Sequence, residues 1–525
     1  MRGGALIGDS PSAGAARRSV DVVLVQPNIV WAYDPFEHLG LAYLAAALRA
    51  DGFSVDIIDG LLGELTTDQL LDELGRRDIG VLGVTLISHG YPQTVSFLER
   101  VRQAHPGTRI VAGGHFATFA ADKIHAHTDV FDAIVLGEGE RPFLHYCRNV
   151  LRGAVECLDD VCERGEKARR TGRSGYDLDE LPNPARDLLS LALRRGAQAS
   201  VTSSRGCYAR CAFCSVPNFY RAGGVAAGWR PRSIPHVLAE LAELHDRFRL
   251  SHFMFVDDNF IGPGKAGRQR AIEFAAAYKA AGIPMTFHID CRAVDVDEEV
   301  IAALHDAGLR SVFVGVESVT AEDLLAYRKG VRAAKNWAAV EILERYELRK
   351  TLSMIMFNPE TTPDAVLQNI AFLRWAEYYP RNPLSILNLY EGTDLLERYR
   401  AQVRGPFWDY RFNFACPQTR VVYEEAMSFC KGTLALERRL SRGDEAAARA
   451  RTVLYRLRLG HLEDVAAHHG TEPAGERLAR WRGRVDVLDS TMTAAGAPPA
   501  VPERRYLTGS FDEPADLRDE TDVSS

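Results

Sequence analysis

Two separate runs of short apolar segments alternating with helix-period segments dominate the chain, and an alternation of that kind admits few folds. In the first run, Asp21–Val25, Ser54–Ile58, Val81–Thr85, Arg109–Ala112 and Ala133–Val135 read as strands. Leu39–Asp51, Thr67–Arg77, Tyr91–His105 and Thr118–Ala126 read as the helices between them. Such units predict an α/β fold with a doubly wound, flavodoxin-like parallel sheet that binds ligands beyond the carboxyl ends of its strands. The second run predicts strands at Ala199–Ser204, His252–Asp257, Met285–Cys291, Ser311–Val316, Leu352–Phe357 and Leu384–Leu389. Val237, Leu241, Leu244 and Phe248 make one apolar stripe on the helix after the first of these. Six β/α units predict a partial barrel rather than a closed eightfold one.

A chain of 525 residues needs more than one core. Asp177–Pro184 carries two prolines that favour extended backbone and separates the runs. The division expected is a flexible N-terminus over 1–18, a first domain over 19–150, a linker over 151–198, a second domain over 199–397, a mainly helical region over 398–491 and a flexible tail over 492–525. A net charge of −7 without a long basic run argues against a nucleic-acid or anionic-membrane surface. No apolar run approaches the roughly 20 residues that a spanning helix needs, and the N-terminus lacks the pattern of a secretion signal, so a soluble cytoplasmic protein is expected. The sparse cysteines outside one cluster (Cys147, Cys157, Cys162, Cys291, Cys416 and Cys430) read as unpaired small residues of a reducing compartment.

That cluster is Cys207, Cys211 and Cys214, a Cys-x3-Cys-x2-Cys triplet just after the first strand of the second run. Three thiolates on one short loop hold three irons of a four-iron cluster and leave the last iron open to a chelating small molecule. Zinc would want a further Cys or His at matching spacing, and no Cys-x2-Cys or His-x3-His partner occurs elsewhere.

With Phe213 just before its third cysteine, the triplet resembles the signature of the radical S-adenosylmethionine (SAM) superfamily, whose [4Fe-4S] cluster binds the amino and carboxylate groups of SAM. The resemblance implies SAM contacts from Phe213, from Asp257 and Asp258 toward the ammonium, from Arg292 toward the carboxylate, and from Glu317 and Ser318 toward the ribose or methionine moiety. Met356–Thr362 and Tyr390–Thr393 are similar to the later strand turns of the same superfamily, the former without its usual glycine.

The first domain resembles the cobalamin-binding domains fused to radical SAM enzymes. The matching residues are Pro27 and Asn28, Gly40 and Leu41, Ser88, Gly113, Gly114 and His115, and Gly137, Glu138 and Gly139. Glycines at strand ends let a corrin and its nucleotide tail approach the backbone. The Asp-x-His-x-x-Gly motif is absent, which implies cobalamin bound without a histidine on cobalt; His38, His89 and His115 read as loop or packing residues. The combined resemblance implies a methyltransferase of the EC 2.1.1 type, moving methyl from SAM via methylcobalamin to an unactivated carbon, or a phosphinate phosphorus, of a small natural-product intermediate. Its partner would be a reductant of the flavodoxin or ferredoxin type, and it would have no catalytic residue beyond the cofactor ligands. A cyclisation, ring contraction or rearrangement without methylation stays open on the same cofactors. The aromatic segment Phe407–Phe414 either closes over substrate or packs the C-terminal helices.

Overall fold

A computed structural model describes residues 17–28, 36–172, 175–226, 228–441 and 444–494. Nearly all of the two termini expected to be flexible lies outside these residues. The chain divides into two compact units, one from residues up to 174 together with 181–191, the other chiefly from 192 onward.

The first unit runs β1 (Arg18–Gln26), α1 (Leu39–Ala50), β2 (Val55–Asp59), α2 (Thr67–Gly75), β3 (Arg77–Thr85), α3 (Tyr91–Ala104), β4 (Arg109–Gly113), α4 (His115–His127), β5 (Ala133–Val135), α5 (Glu140–Arg152) and β6 (Val161–Glu163). The sheet order is β2-β1-β3-β4-β5-β6, parallel through β5, as the alternation predicts for a flavodoxin-like sheet. Val22 to Val25 are all at 0% exposure, because a parallel strand covered on both faces needs an unbroken apolar run. Strand β6, which the sequence reading placed in a linker, pairs antiparallel with β5 and closes that edge. Helix α4 starts at His115, earlier than predicted, since Gly114 at φ +102° turns the chain directly from strand to helix.

The second unit follows the short helix α6 (Leu189–Arg194) with β7 (Ala199–Val201), β8 (Ser204–Gly206), α7 (Val216–Ala222), β9 (Trp229–Pro231), α8 (Ile234–Phe248), β10 (His252–Phe255), α9 (Gly264–Ala281), β11 (Thr286–Arg292), α10 (Glu298–Ala307), β12 (Leu309–Glu317), α11 (Ala321–Ala326), α12 (Ala333–Arg345) and β13 (Arg349–Met354). Its sheet is wholly parallel in the order β13-β12-β11-β10-β7. The sixth predicted strand contributes only one parallel bridge, between Ile386 and Phe357. The first predicted strand is divided: the chain leaves the sheet after Val201 and re-forms as β8, which pairs antiparallel with β9. Along β10 and β11, Phe253, Phe255 and Phe287 point toward α9 and interlock with Phe274 and Tyr278. Strand alternation sends His288, Asp290 and Arg292 to the other face.

Five helices complete the unit beyond α13 (Pro363–Trp375), namely α14 (Asp394–Tyr399), α15 (Pro417–Gly432), α16 (Leu434–Leu440), α17 (Glu445–His468) and α18 (Ala474–Ala494). Buried ion pairs join them, Arg458 to Glu437 and Arg477 to Glu425, each at 2.7 Å. The predicted aromatic segment lies before α15, where Tyr410 and Phe412 pack against an apolar group that includes Ala212, Tyr327 and Leu395. No helix among the described residues is long and apolar enough to cross a membrane.

Candidate functional site

The cysteine loop is held at both ends. Asp257, 1% exposed, accepts hydrogen bonds from the Ser203 amide at 3.1 Å, from the Ser203 hydroxyl at 3.0 Å and from the Ser204 hydroxyl, and so fastens the turn into β8. Gly206 then adopts φ +84°, with its α-carbon so near the Gly228 carbonyl that an added Cβ would lie 2.1 Å from that oxygen. Arg221 donates to the carbonyls of Tyr208 at 2.8 Å and Ala209 at 3.3 Å. Ala212 is gripped from two directions: its N–H donates to the Tyr327 carbonyl at 2.8 Å, and its carbonyl accepts from Leu395 at 2.9 Å. Phe213 meets Tyr327 edge-on, 5.6 Å between centroids.

Within that frame Cys207, Cys211 and Cys214 lie close enough for the charge of one to act on the next. Burial pushes the Cys207 thiol up to about 11 and the Cys214 thiol up to about 12, so both stay protonated near neutral pH until a metal displaces the proton. Among the described residues no three His, Cys, Asp or Glu side chains converge as a single metal ion requires. A cubane instead takes each thiolate at a separate corner, so the donor set fits an iron–sulfur cluster better than zinc.

The other residues assigned to SAM divide into two groups. Asp258 keeps solvent access; desolvation by the surrounding protein pushes its carboxyl up to about 6, opposed by the Gly206 N–H at 3.0 Å. Arg292 donates to the Tyr208 hydroxyl at 3.0 Å and to the Lys329 carbonyl, while its buried Nε has no protein partner and remains a donor for a ligand carboxylate. Tyr208 donates in turn to Asp295 at 2.5 Å. Glu317 ends β12 at φ +69°, and its carboxylate accepts from Lys329 Nζ and from the Ser353 hydroxyl, each at 2.8 Å. A non-glycine residue in that region costs about 1–3 kcal/mol and persists where its surroundings over-determine it.

Asp257 and Ser318, by contrast, are buried with their side chains bonded to protein. The Asp257 carboxylate is taken by the serine turn. Ser318, at 0% exposure, donates to Asp323 at 2.8 Å and meets Asn369 at 3.2 Å, joining α11 to α13. Lys329 and Tyr208 were missed by sequence reasoning, since the partners that give them meaning lie 12 and 87 residues away.

In the first unit the assigned residues gather at the carboxyl ends of the parallel strands. Asn28, after β1, donates to the Leu65 carbonyl at 2.8 Å, with Pro27 before it. Ser88 opens a turn after β3, 3.3 Å from His89 Nδ1. Gly113 faces open space, whereas Gly114 lies against the Leu86 carbonyl. The Gly137 amide donates to Thr118 at 2.9 Å, and Glu138 beside it is buried. His38 caps α1 by accepting from the Leu41 amide at 3.1 Å, beside Gly40. Burial holds both His38 and His115 down at about 4, so both rings are neutral near pH 7. Open glycine backbone beside neutral imidazoles suits a corrin rimmed with amides. The Leu41 side chain packs in the core with Val22 and Leu24, and Gly139 makes room for Leu44, so these two would offer a ligand backbone only.

The chain matches the B12 binding domain over residues 28–146 and the radical SAM superfamily over residues 201–373. An uncharacterized methyltransferase of Pyrococcus horikoshii is 26% identical over 370 residues, covering 68% of this chain and 77% of the relative. The hopanoid C-3 methylase of Methylococcus capsulatus is 27% identical over 382 residues, covering 68% of each. Among solved structures, the cobalamin-dependent SAM radical enzyme OxsB with aqua-cobalamin and SAM bound superposes with a TM-score of 0.75 over 92% of this chain and 82% of its own. At 16% identity that is a likeness of fold.

Proposed function

The chain is a radical SAM protein with a B12 binding domain, and we propose that it transfers a methyl group from SAM, through cobalamin, to an unactivated carbon or a phosphinate phosphorus of a small natural-product intermediate. The observation that carries this reading is one chain holding both a buttressed three-cysteine loop at the mouth of a partial barrel and a glycine-rich strand-end surface on a flavodoxin-like sheet. The Pyrococcus and Methylococcus relatives, named as a methyltransferase and a methylase, favour methyl transfer over a rearrangement.

When bound, the reduced cluster supplies homolytic cleavage of SAM, and cobalt supplies a relay for a second SAM methyl. The protein's part is placement. Cys207, Cys211 and Cys214 would hold the cluster, Asp258 would accept from the SAM ammonium, and Arg292 Nε would donate to its carboxylate. Lys329 holds the Glu317 carboxylate in one orientation at the end of β12, and Phe213 packs the loop onto Tyr327. Pro27, Asn28, Ser88, Gly113, Gly114 and Gly137 would present backbone and short side chains to cobalamin. A small one-electron carrier of the flavodoxin or ferredoxin type would reduce the cluster. All nine cysteines are unpaired, which accords with the reducing cytoplasm as its place of work.

The test is anaerobic reconstitution with iron, sulfide, cobalamin, SAM and reductant. Formation of both S-adenosylhomocysteine and 5′-deoxyadenosine, with a product heavier by one CH2 once an acceptor is supplied, is the expected result. Production of 5′-deoxyadenosine without S-adenosylhomocysteine would replace methyl transfer by a rearrangement.

A further inference from the structure

We propose that Arg170 is the counter-ion for the phosphodiester of the cobalamin nucleotide tail, an assignment that rests on cobalamin being the ligand of the first unit. Arg170 belongs to the segment after β6, and its backbone is pinned on both sides. The Ala168 N–H donates to Asp122 of α4 at 2.8 Å, and the Thr171 N–H donates to Asp160 at 2.7 Å. Asp160 is 2% exposed, and its own carbonyl accepts from Leu136, just past β5, at 2.8 Å. The pins therefore tie Arg170 to the sheet end itself.

Between them the guanidinium lies against Gly137, φ +83°, so closely that a Cβ there would be 2.3 Å from Nη2 and 2.9 Å from Cζ. Glycine at this position keeps room for a cation as well as for the turn. Arg170 is near enough to His115 to disfavour protonation of that ring; burial disfavours the charge on Arg170 itself, opposed by the nearby Asp160 and Glu138. The cation thus stands among the turns that follow β4 and β5.

Cobalamin has a periphery of amides and one permanent anion, the phosphodiester of its tail. The glycine turns offer that anion only backbone dipoles, and His38 and His115 are neutral. A planar guanidinium supplies paired donors matched to two phosphate oxygens. Its position is fixed before the ligand arrives, so little ordering is needed on binding.

The experiment is an equilibrium titration of the full-length protein, followed by absorbance, with cobalamin and with cobinamide, the same corrin lacking phosphate and nucleotide. Arg170→Gln is expected to weaken cobalamin binding roughly ten- to a hundredfold, the range for one charge-assisted contact, and to leave cobinamide binding unchanged. Arg170→Lys should recover part of the loss, and added salt should weaken cobalamin binding to the wild type more than to Arg170→Gln. Unchanged cobinamide binding also shows that the variant is folded. Equal weakening of both corrinoids, no weakening, or tighter cobalamin binding overturns the assignment while leaving cobalamin as the ligand. A wild-type protein that binds neither corrinoid overturns both readings.

Discussion

Gly206 is the narrowest point of the route into the cysteine loop, and Gly206→Ala measures how much that loop depends on it. An L-residue at φ +84° carries a left-handed penalty of about 1–2 kcal/mol. The new Cβ would also stand 2.1 Å from the Gly228 carbonyl, where ordinary contact begins near 3.4 Å, so the backbone must shift, at a further cost of about 1–3 kcal/mol. Gly282 in the same unit isolates the first effect: its φ is +64°, and nothing lies within 4 Å of an added Cβ. Five of the six tryptophans, Trp229, Trp337, Trp375, Trp408 and Trp481, belong to the second unit, so tryptophan fluorescence during urea unfolding reports chiefly on it. Gly206→Ala should destabilise this unit by about 1–3 kcal/mol more than Gly282→Ala does. After anaerobic reconstitution Gly206→Ala should lose most of its iron and Gly282→Ala should keep it. Equal unfolding midpoints with full iron in both variants would refute the reasoning.

Replacing any one of Cys207, Cys211 or Cys214 by Ala should abolish the cluster and reductive SAM cleavage, read as iron content and 5′-deoxyadenosine; full cluster iron in such a variant would contradict the assignment. Lys329→Met strands the Glu317 carboxylate in a buried site and should cost about 3–5 kcal/mol in urea unfolding, with Glu317→Gln added on top recovering part of it; a loss below about 1 kcal/mol would class the pair with surface ion pairs. His38 is held at about 4 against a usual value of 6.5, so between those values the unfolded chain takes up a proton that the fold refuses, and stability falls as pH drops from 6.5 toward 4. His38→Asn keeps a side-chain cap for α1 and should remove the His38 share of that slope for cobalamin-free protein, leaving the share of His115 and His461, which burial also holds at about 4; an unchanged slope would refute the His38 contribution.

The five parallel strands of the first sheet were legible because each centres on a short apolar run between turn residues, interrupted in β2 by Asp56. Strand β6 was not, because Val161-Cys162-Glu163 is three residues long and acquires its identity from β5. Ala199–Ser204 was read too long because Ser203 and Ser204 resemble a strand end, although Asp257, more than fifty residues on, turns them out of the sheet. Leu384–Leu389 follows Pro383 and finds its register with Phe357 at one residue only. At the site, the cysteines were visible because a cluster loop is local chemistry with a fixed spacing. Lys329 and Arg170 were invisible: a lone cation in a turn acquires a role only from the Glu317 carboxylate or the Gly137 backbone that the fold brings to it.

Alternation along β10 and β11 has a bearing on how the second unit tolerates change in length. The same short strands pack Phe253, Phe255 and Phe287 against α9 and turn His288, Asp290 and Arg292 the other way. A single-residue insertion or deletion inside either strand would exchange the two sets, pushing charge among the rings and rings among the polar groups. Diversification of this unit is therefore confined to substitution within strands and to length changes in the connecting segments, with the aromatic wedge acting as a fixed ruler for everything that faces away from it.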